Sequence, residues 1–216
     1  MKHKRDILYK ACMLVAHPDD ETLWAGGLII MHPDWLWKIY TLCRASDPDR
    51  APKFLKVLSM LNATGEMADL DDGPEQEPLS RSDIQDQILT WTSQDHYDLL
   101  ISHGPQGEYT RHRRHEETSS AVQTLWEEGK IDAAELWLFA YQDNEGANLP
   151  QAAAGAPIQF ELPDDVWQKK YRLITEVYGF TLDSWEARTT PRVEAYWRFN
   201  RKNRHQIQKT KLEDRL

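Results

Sequence analysis

An imidazole and three carboxylates stand almost side by side in Ala16-His17-Pro18-Asp19-Asp20-Glu21. The apolar run 12–16 before them predicts a short buried strand, and residues 22–30 after them predict a helix. Pro18 fixes its own φ and pushes His17 toward extended backbone, which holds the side chains apart. In open α/β sheets, the carboxyl end of a strand is where ligands bind. Helix capping is the plainer explanation, because Asp19, Asp20, Glu21 and Thr22 all suit a first helical turn. Capping does not explain His17 and Pro18, whereas a metal site does.

A second group of the same kind lies in Gly107-Glu108-Tyr109-Thr110-Arg111-His112-Arg113-Arg114-His115-Glu116. His112 and His115 are three residues apart where a helix should begin, so they can share one side of its first turn. With His17 and Asp20 they offer two nitrogens and an oxygen to a divalent metal. One imidazole and one carboxylate are then left over for proton transfer. Two histidines and a carboxylate around an open fourth position form a hydrolytic zinc arrangement.

Alternating elements must bring these motifs together. Strands are expected at 12–16, 35–43, 98–102 and 135–141, with a short edge strand at 158–162. Helices are expected at 53–63, 82–93, 116–128 and from Asp164 or Asp165 to about Tyr178. Acidic, Pro- and Gly-containing residues 68–79 read as a surface loop. The alternation predicts an α/β fold with a mostly parallel, doubly wound sheet and helices on both faces. Both motifs follow strands of that sheet, so topology carries them to one rim.

The 216 residues suit a single domain, with a motif-bearing core at about 12–140 and a C-terminal extension at 141–216. A net charge of −9 argues against a general nucleic-acid binder. Residues 192–215 are locally basic and are expected to form a solvated helix face with a frayed end. No signal-peptide pattern or membrane-length apolar run stands out, so a cytoplasmic location is expected. Cys12 and Cys43 fall in expected strands and read as buried free thiols. Trp24, Trp35 and Trp37 lie near the first motif, where aromatic faces could stack on a sugar; core packing accounts for at least two of them.

The complete Ala16–Glu21 motif, Gly26-Gly27 after it and the Gly-Glu-Tyr…His…His segment resemble the PIG-L/LmbE-like family of zinc-dependent N-deacetylases. The resemblance runs from about residue 12 to residue 140. It implies a Rossmann-like fold and removal of acetyl from an N-acetylglucosamine-type conjugate, a small-molecule partner. It also implies one zinc per chain held by His17, Asp20 and His115, with another divalent metal as an alternative. Asp19 would be the general base and His112 the second acid/base or oxyanion-stabilising group, the latter in its protonated form. Arg50, at the start of the second helix, together with Asp72 and Tyr109 would contact substrate. Departures from the family pattern are Arg113-Arg114 in place of Pro-Asp, one extra residue between Tyr109 and His112, and Arg44 in a turn that usually contains glycine. An amidase acting on another acyl-amine or thiol conjugate, and a non-catalytic zinc- or sugar-binding protein, are the alternatives. A homo-oligomer is compatible with all three.

Overall fold

The computed structural model describes residues 8–201. Five strands, β1 (Lys10–Val15), β2 (Leu36–Thr41), β3 (Thr64–Met67), β4 (His96–Ser102) and β5 (Asp132–Phe139), run parallel. Helices α1 (Asp20–Met31), α2 (Arg50–Met60), α3 (Arg81–Thr92) and α4 (Arg113–Glu127) connect them. A small pair, β6 (Tyr141–Gln142) and β7 (Gln151–Ala152), lies within the long loop after β5. Then follow β8 (Ile158–Glu161), α5 (Asp164–Arg172), a π-helical turn (Leu173–Val177), α6 (Trp185–Thr189) and β9 (Val193–Asn200). The seven-stranded sheet has the order β3-β2-β1-β4-β5-β9-β8, with β9 antiparallel to both of its neighbours.

Burial on both faces explains why β1 reads as an uninterrupted apolar run rather than an alternating one. Ala11, Met13 and Val15 join a core on one side with residues of α1, α2 and the π-helical turn. Cys12 and Leu14 join a core on the other side with residues of α3 and α4. The expected doubly wound sheet with helices on both faces is therefore the fold, and both cysteines are buried free thiols. The strand order reverses between β1 and β4, so a crevice opens beyond their carboxyl ends.

The C-terminal segment departs from expectation. Residues 192–201 contain the strand β9 rather than a solvated helix face. Its pattern has period 2: Glu194 and Tyr196 are buried on one side, while Ala195, Trp197 and Phe199 pack on the other. The basic residues that suggested a helix sit among these, and Arg198 pairs with Glu135 of the neighbouring strand. The rest of that basic stretch lies outside the described residues. Strand β3 also has no counterpart among the expected elements, because Thr64-Gly65-Glu66-Met67 carries almost no apolar signal.

One buried ion pair fastens this segment to the motif-bearing half. Glu194 accepts hydrogen bonds from Lys170 Nζ at 2.8 Å, the backbone N–H groups of Gly27 and Leu28 at 2.7 and 2.8 Å, and the Tyr196 hydroxyl at 3.0 Å. A Cβ on Gly27 would lie 2.3 Å from Leu162 and 2.8 Å from the Glu194 carboxylate, so the close approach requires glycine there. Both charged side chains are fully buried, so removing one leaves the other without its counter-charge. We expect Lys170→Ala to cost about 3–5 kcal/mol in chemical denaturation. Lys169→Ala, which breaks an exposed pair with Asp165, should cost less than about 1 kcal/mol. Equal effects would show that the buried pair is not the fastening.

Candidate active site

Beyond the rim of β1 and β4, three donor atoms face one another. His17 Nδ1 lies 3.3 Å from Asp20 Oδ2 and 3.3 Å from His115 Nε2, and His115 Nε2 lies 3.4 Å from Asp20 Oδ2. Zinc bonds of about 2.05 Å in tetrahedral geometry put neighbouring ligand atoms about 3.3–3.4 Å apart. The triangle therefore fits a divalent metal on its edge lengths alone. His17 comes from the turn after β1, Asp20 from the first residue of α1 and His115 from the first turn of α4.

Capping does not account for these acids. The Asp19 side chain makes no cap hydrogen bond to α1, and its carbonyl accepts the Thr22 and Leu23 N–H groups at 3.0 and 2.7 Å. Asp20 Oδ2 accepts the His17 N–H at 2.8 Å, and Asp20 Oδ1 accepts from the Trp24 indole at 3.3 Å. Burial would raise the Asp20 carboxyl, yet His115 and His103 beside it hold it well below the usual range. Burial disfavours charge on His17 and His115, but Asp20, helped at His17 by Asp72, raises both. The centre attracts positive charge.

Each imidazole in the triangle is backed by a carboxylate on its other nitrogen. His17 Nε2 lies 3.1 Å from Asp72 Oδ1, and His115 Nδ1 lies 2.7 Å from Glu108 Oε2. With an N–H on that outer nitrogen, the inner nitrogen is left as a bare lone pair, the form a metal needs. Glu108 is fully buried and also bonds His103 Nδ1 at 2.9 Å and the Gly104 N–H at 2.8 Å. His103 Nε2 in turn accepts the Ala16 N–H at 2.9 Å, which ties β4 to the first motif. Neither Glu108 nor His103 was anticipated, although Glu108 belongs to the Gly-Glu-Tyr part of the second motif.

Asp72 is engaged on both oxygens, by His17 and Gln76 on one and by Arg44 on the other. Arg44 adopts φ +73°, the left-handed region that favours glycine, and its guanidinium spans Asp72 and Asp47. Arg114 is buried and does not face the cleft. It donates to the Asp71 and Glu77 carbonyls at 2.6 and 2.8 Å and to Glu117 at 2.6 Å, clamping the loop that carries Asp72 onto α4. The charge that replaces Pro-Asp in the second motif is thus partly structural.

Two further groups border the triangle. Burial, with Asp20 and Glu21 adding to it, pushes the Asp19 carboxyl up to about 8, even though Arg50 donates to it at 2.6 Å. His112 is the N-cap residue of α4, its ring stacked on His115 at 4.2 Å. Burial and the neighbouring His115 and His17 push His112 down to about 3, which favours the neutral ring. Its Nδ1 is buried without a hydrogen-bond partner, a polar atom left for a ligand.

A cleft of about 580 Å³ opens over these groups, walled by Arg44, Arg50, Tyr109, Arg111, Trp185 and Glu186. Arg50, Tyr109 and Asp72 all line it. The aromatic wall is Tyr109 against Trp185, ring centroids 4.5 Å apart. Trp37 is buried in the core with Trp35 stacked on it, away from the cleft, whereas Trp24, also buried, lies behind the aromatic wall with its ring 6.3 Å from both Tyr109 and Trp185. Trp185 escaped notice because it comes from α6, far outside both motifs.

No protein-family model matches the chain. An uncharacterised protein of Acanthamoeba polyphaga mimivirus is 23% identical over 159 residues, spanning 65% of this chain and 67% of that protein. Among solved structures, N,N'-diacetylchitobiose deacetylase from Pyrococcus horikoshii matches with a TM-score of 0.69 at 13% identity, over 92% of this chain and 85% of its own. The hydratase GalB of Pseudomonas putida, acting on 4-carboxy-2-hydroxymuconate, matches at 0.64 and 15% identity, over 90% and 98%. Teicoplanin deacetylase Orf2, solved in a zinc-inhibited form, matches at 0.61 and 12% identity, over 80% and 85%. These proteins share the PIG-L/LmbE fold, and the present chain has that fold too.

The carboxylates behind the histidines supply a test that leaves the donors themselves in place. Glu108→Gln and Asp72→Asn should each weaken zinc binding about 10- to 100-fold in a competition titration with a chelating dye. Affinity unchanged in both would mean that the outer carboxylates do not set the ligand nitrogens.

Proposed function

We propose that the protein is a zinc-dependent N-deacetylase acting on an N-acetylglucosamine-type conjugate. The observation that carries this reading is the His17–Asp20–His115 triangle with an elevated carboxyl and an unpaired neutral imidazole beside it. Deacetylases among proteins of the same fold support it. A divalent cation held by the three donors would supply Lewis acidity toward water and toward the amide carbonyl.

The chain's own groups then divide the proton work. Asp19, as carboxylate, takes a proton from the attacking water while the water oxygen bonds to the acetyl carbon. Its elevated pKa makes it a stronger base than an ordinary aspartate, whose pKa is about 4. Neutral His112 offers the tetrahedral oxyanion a hydrogen bond from a ring N–H. When the C–N bond breaks, the amine nitrogen receives the proton held by Asp19, leaving acetate and the free amine. Arg50 keeps the Asp19 carboxylate turned into the cleft. Tyr109 and Trp185 offer aromatic faces to the sugar ring.

The three arginines on the cleft wall favour one other reading, a hydratase adding water to an unsaturated carboxylic acid, as the neighbour GalB does to its substrate. Acetate release from a panel of N-acetylglucosamine conjugates, measured beside hydration of unsaturated acids, separates the two. An amidase for larger acyl groups would show as turnover only on longer N-acyl analogues. Asp19→Asn should lower acetate release at least about 100-fold while keeping zinc on the protein, and His115→Ala should lose the zinc. Full turnover in Asp19→Asn would remove Asp19 from the mechanism.

A further inference from the structure

Asp19 sits in a backbone conformation that an L-residue adopts only when its surroundings hold it there, with φ +113° and ψ −31°. Its carbonyl accepts the Thr22 and Leu23 N–H groups of α1, and two side-chain contacts hold the rest of it. Its N–H donates to Glu21 Oε2 at 2.9 Å, and its carboxylate accepts from Arg50 at 2.6 Å. Both partners are themselves held from a single place in the C-terminal extension. The Tyr178 hydroxyl donates to Glu21 Oε1 at 2.6 Å in a fully buried contact, alongside the Thr22 hydroxyl. Two residues later, the Phe180 ring lies under the Arg50 guanidinium, 4.6 Å from its centroid.

We propose that the turn Tyr178-Gly179-Phe180 is a positioning device that braces Asp19 from both ends, Tyr178 through Glu21 to the main chain and Phe180 through Arg50 to the carboxylate. The local backbone agrees with such a role. The turn leaves a π-helical segment, Leu173–Val177, a distortion found mostly where function repays it. Gly179 supplies the φ of +80° that lets the chain reverse between the two bracing side chains. A helix running straight on from α5 would not place both rings against the first motif. Glu21 has no route to solvent that would serve instead, since it is fully buried and its oxygens bond the Asp19 N–H, Thr22 and Tyr178.

This inference rests on Asp19 as the base, so Asp19→Asn is run as the reference. Tyr178→Phe keeps the ring and removes the hydroxyl, and Phe180→Leu keeps an apolar side chain and removes the face under Arg50. Each should lower kcat for acetate release about tenfold or more, with KM, zinc per chain and melting temperature close to the parent. Phe180→Tyr should restore the rate. Crystal structures of the two variants give a readout that needs no substrate: the Asp19 main chain leaves its positive φ in Tyr178→Phe, and its carboxylate separates from Arg50 in Phe180→Leu. An unmoved Asp19 in both variants, or losses of rate matched by losses of zinc or of folded protein, would overturn the brace. Parental rates in Tyr178→Phe and Phe180→Leu with an inactive Asp19→Asn would overturn it and leave the base assignment standing. An active Asp19→Asn would instead overturn the reading beneath it.

Discussion

The site depends on two carboxylate–imidazole contacts, Asp72 with His17 and Glu108 with His115. A histidine can present either nitrogen, and only the outer partner decides which lone pair faces inward. Here the two outer partners lie on opposite sides, one in the loop after β3 and one in the loop after β4. The inner nitrogens therefore converge, with Asp20 completing a triangle of zinc-like dimensions. Arg114 matters for the same reason. By gripping the Asp71–Glu77 loop it fixes Asp72, although its own charge never reaches the cleft.

Around the triangle, burial separates the remaining groups by role. The same desolvation raises Asp19 and lowers His112, because it penalises charge of either sign. The result is one group with affinity for a proton and one neutral ring able to donate a hydrogen bond. Such a split suits hydrolysis of an amide, where a proton must be taken from water and returned to an amine.

Much of this was legible in the sequence because it is local. Ala16–Glu21 and the histidines at 112 and 115 carry their chemistry in short motifs, and apolar runs mark β1, β2, β4 and β5. What escaped was set by partners distant in the chain. Glu194 bonds Gly27, 167 residues away, and Tyr178 bonds Glu21, 157 residues away. Neither residue type announces such a contact. Strand β9 hid behind Arg198 and the basic residues that flank it, and β3 behind the near absence of apolar residues. The lowering of His112 also could not be read from its motif, since it follows from burial and from His17 across the cleft as well as His115 on its own helix.

The most direct measurement is a crystal structure of the zinc-loaded protein with anomalous data at the zinc edge. One strong peak is expected, bound by His17 Nδ1, Asp20 Oδ2 and His115 Nε2, with Asp72 and Glu108 still on the outer nitrogens. A peak that engages His17 through Nε2 and displaces Asp72, or no peak at the triangle after zinc loading, would contradict the assignment.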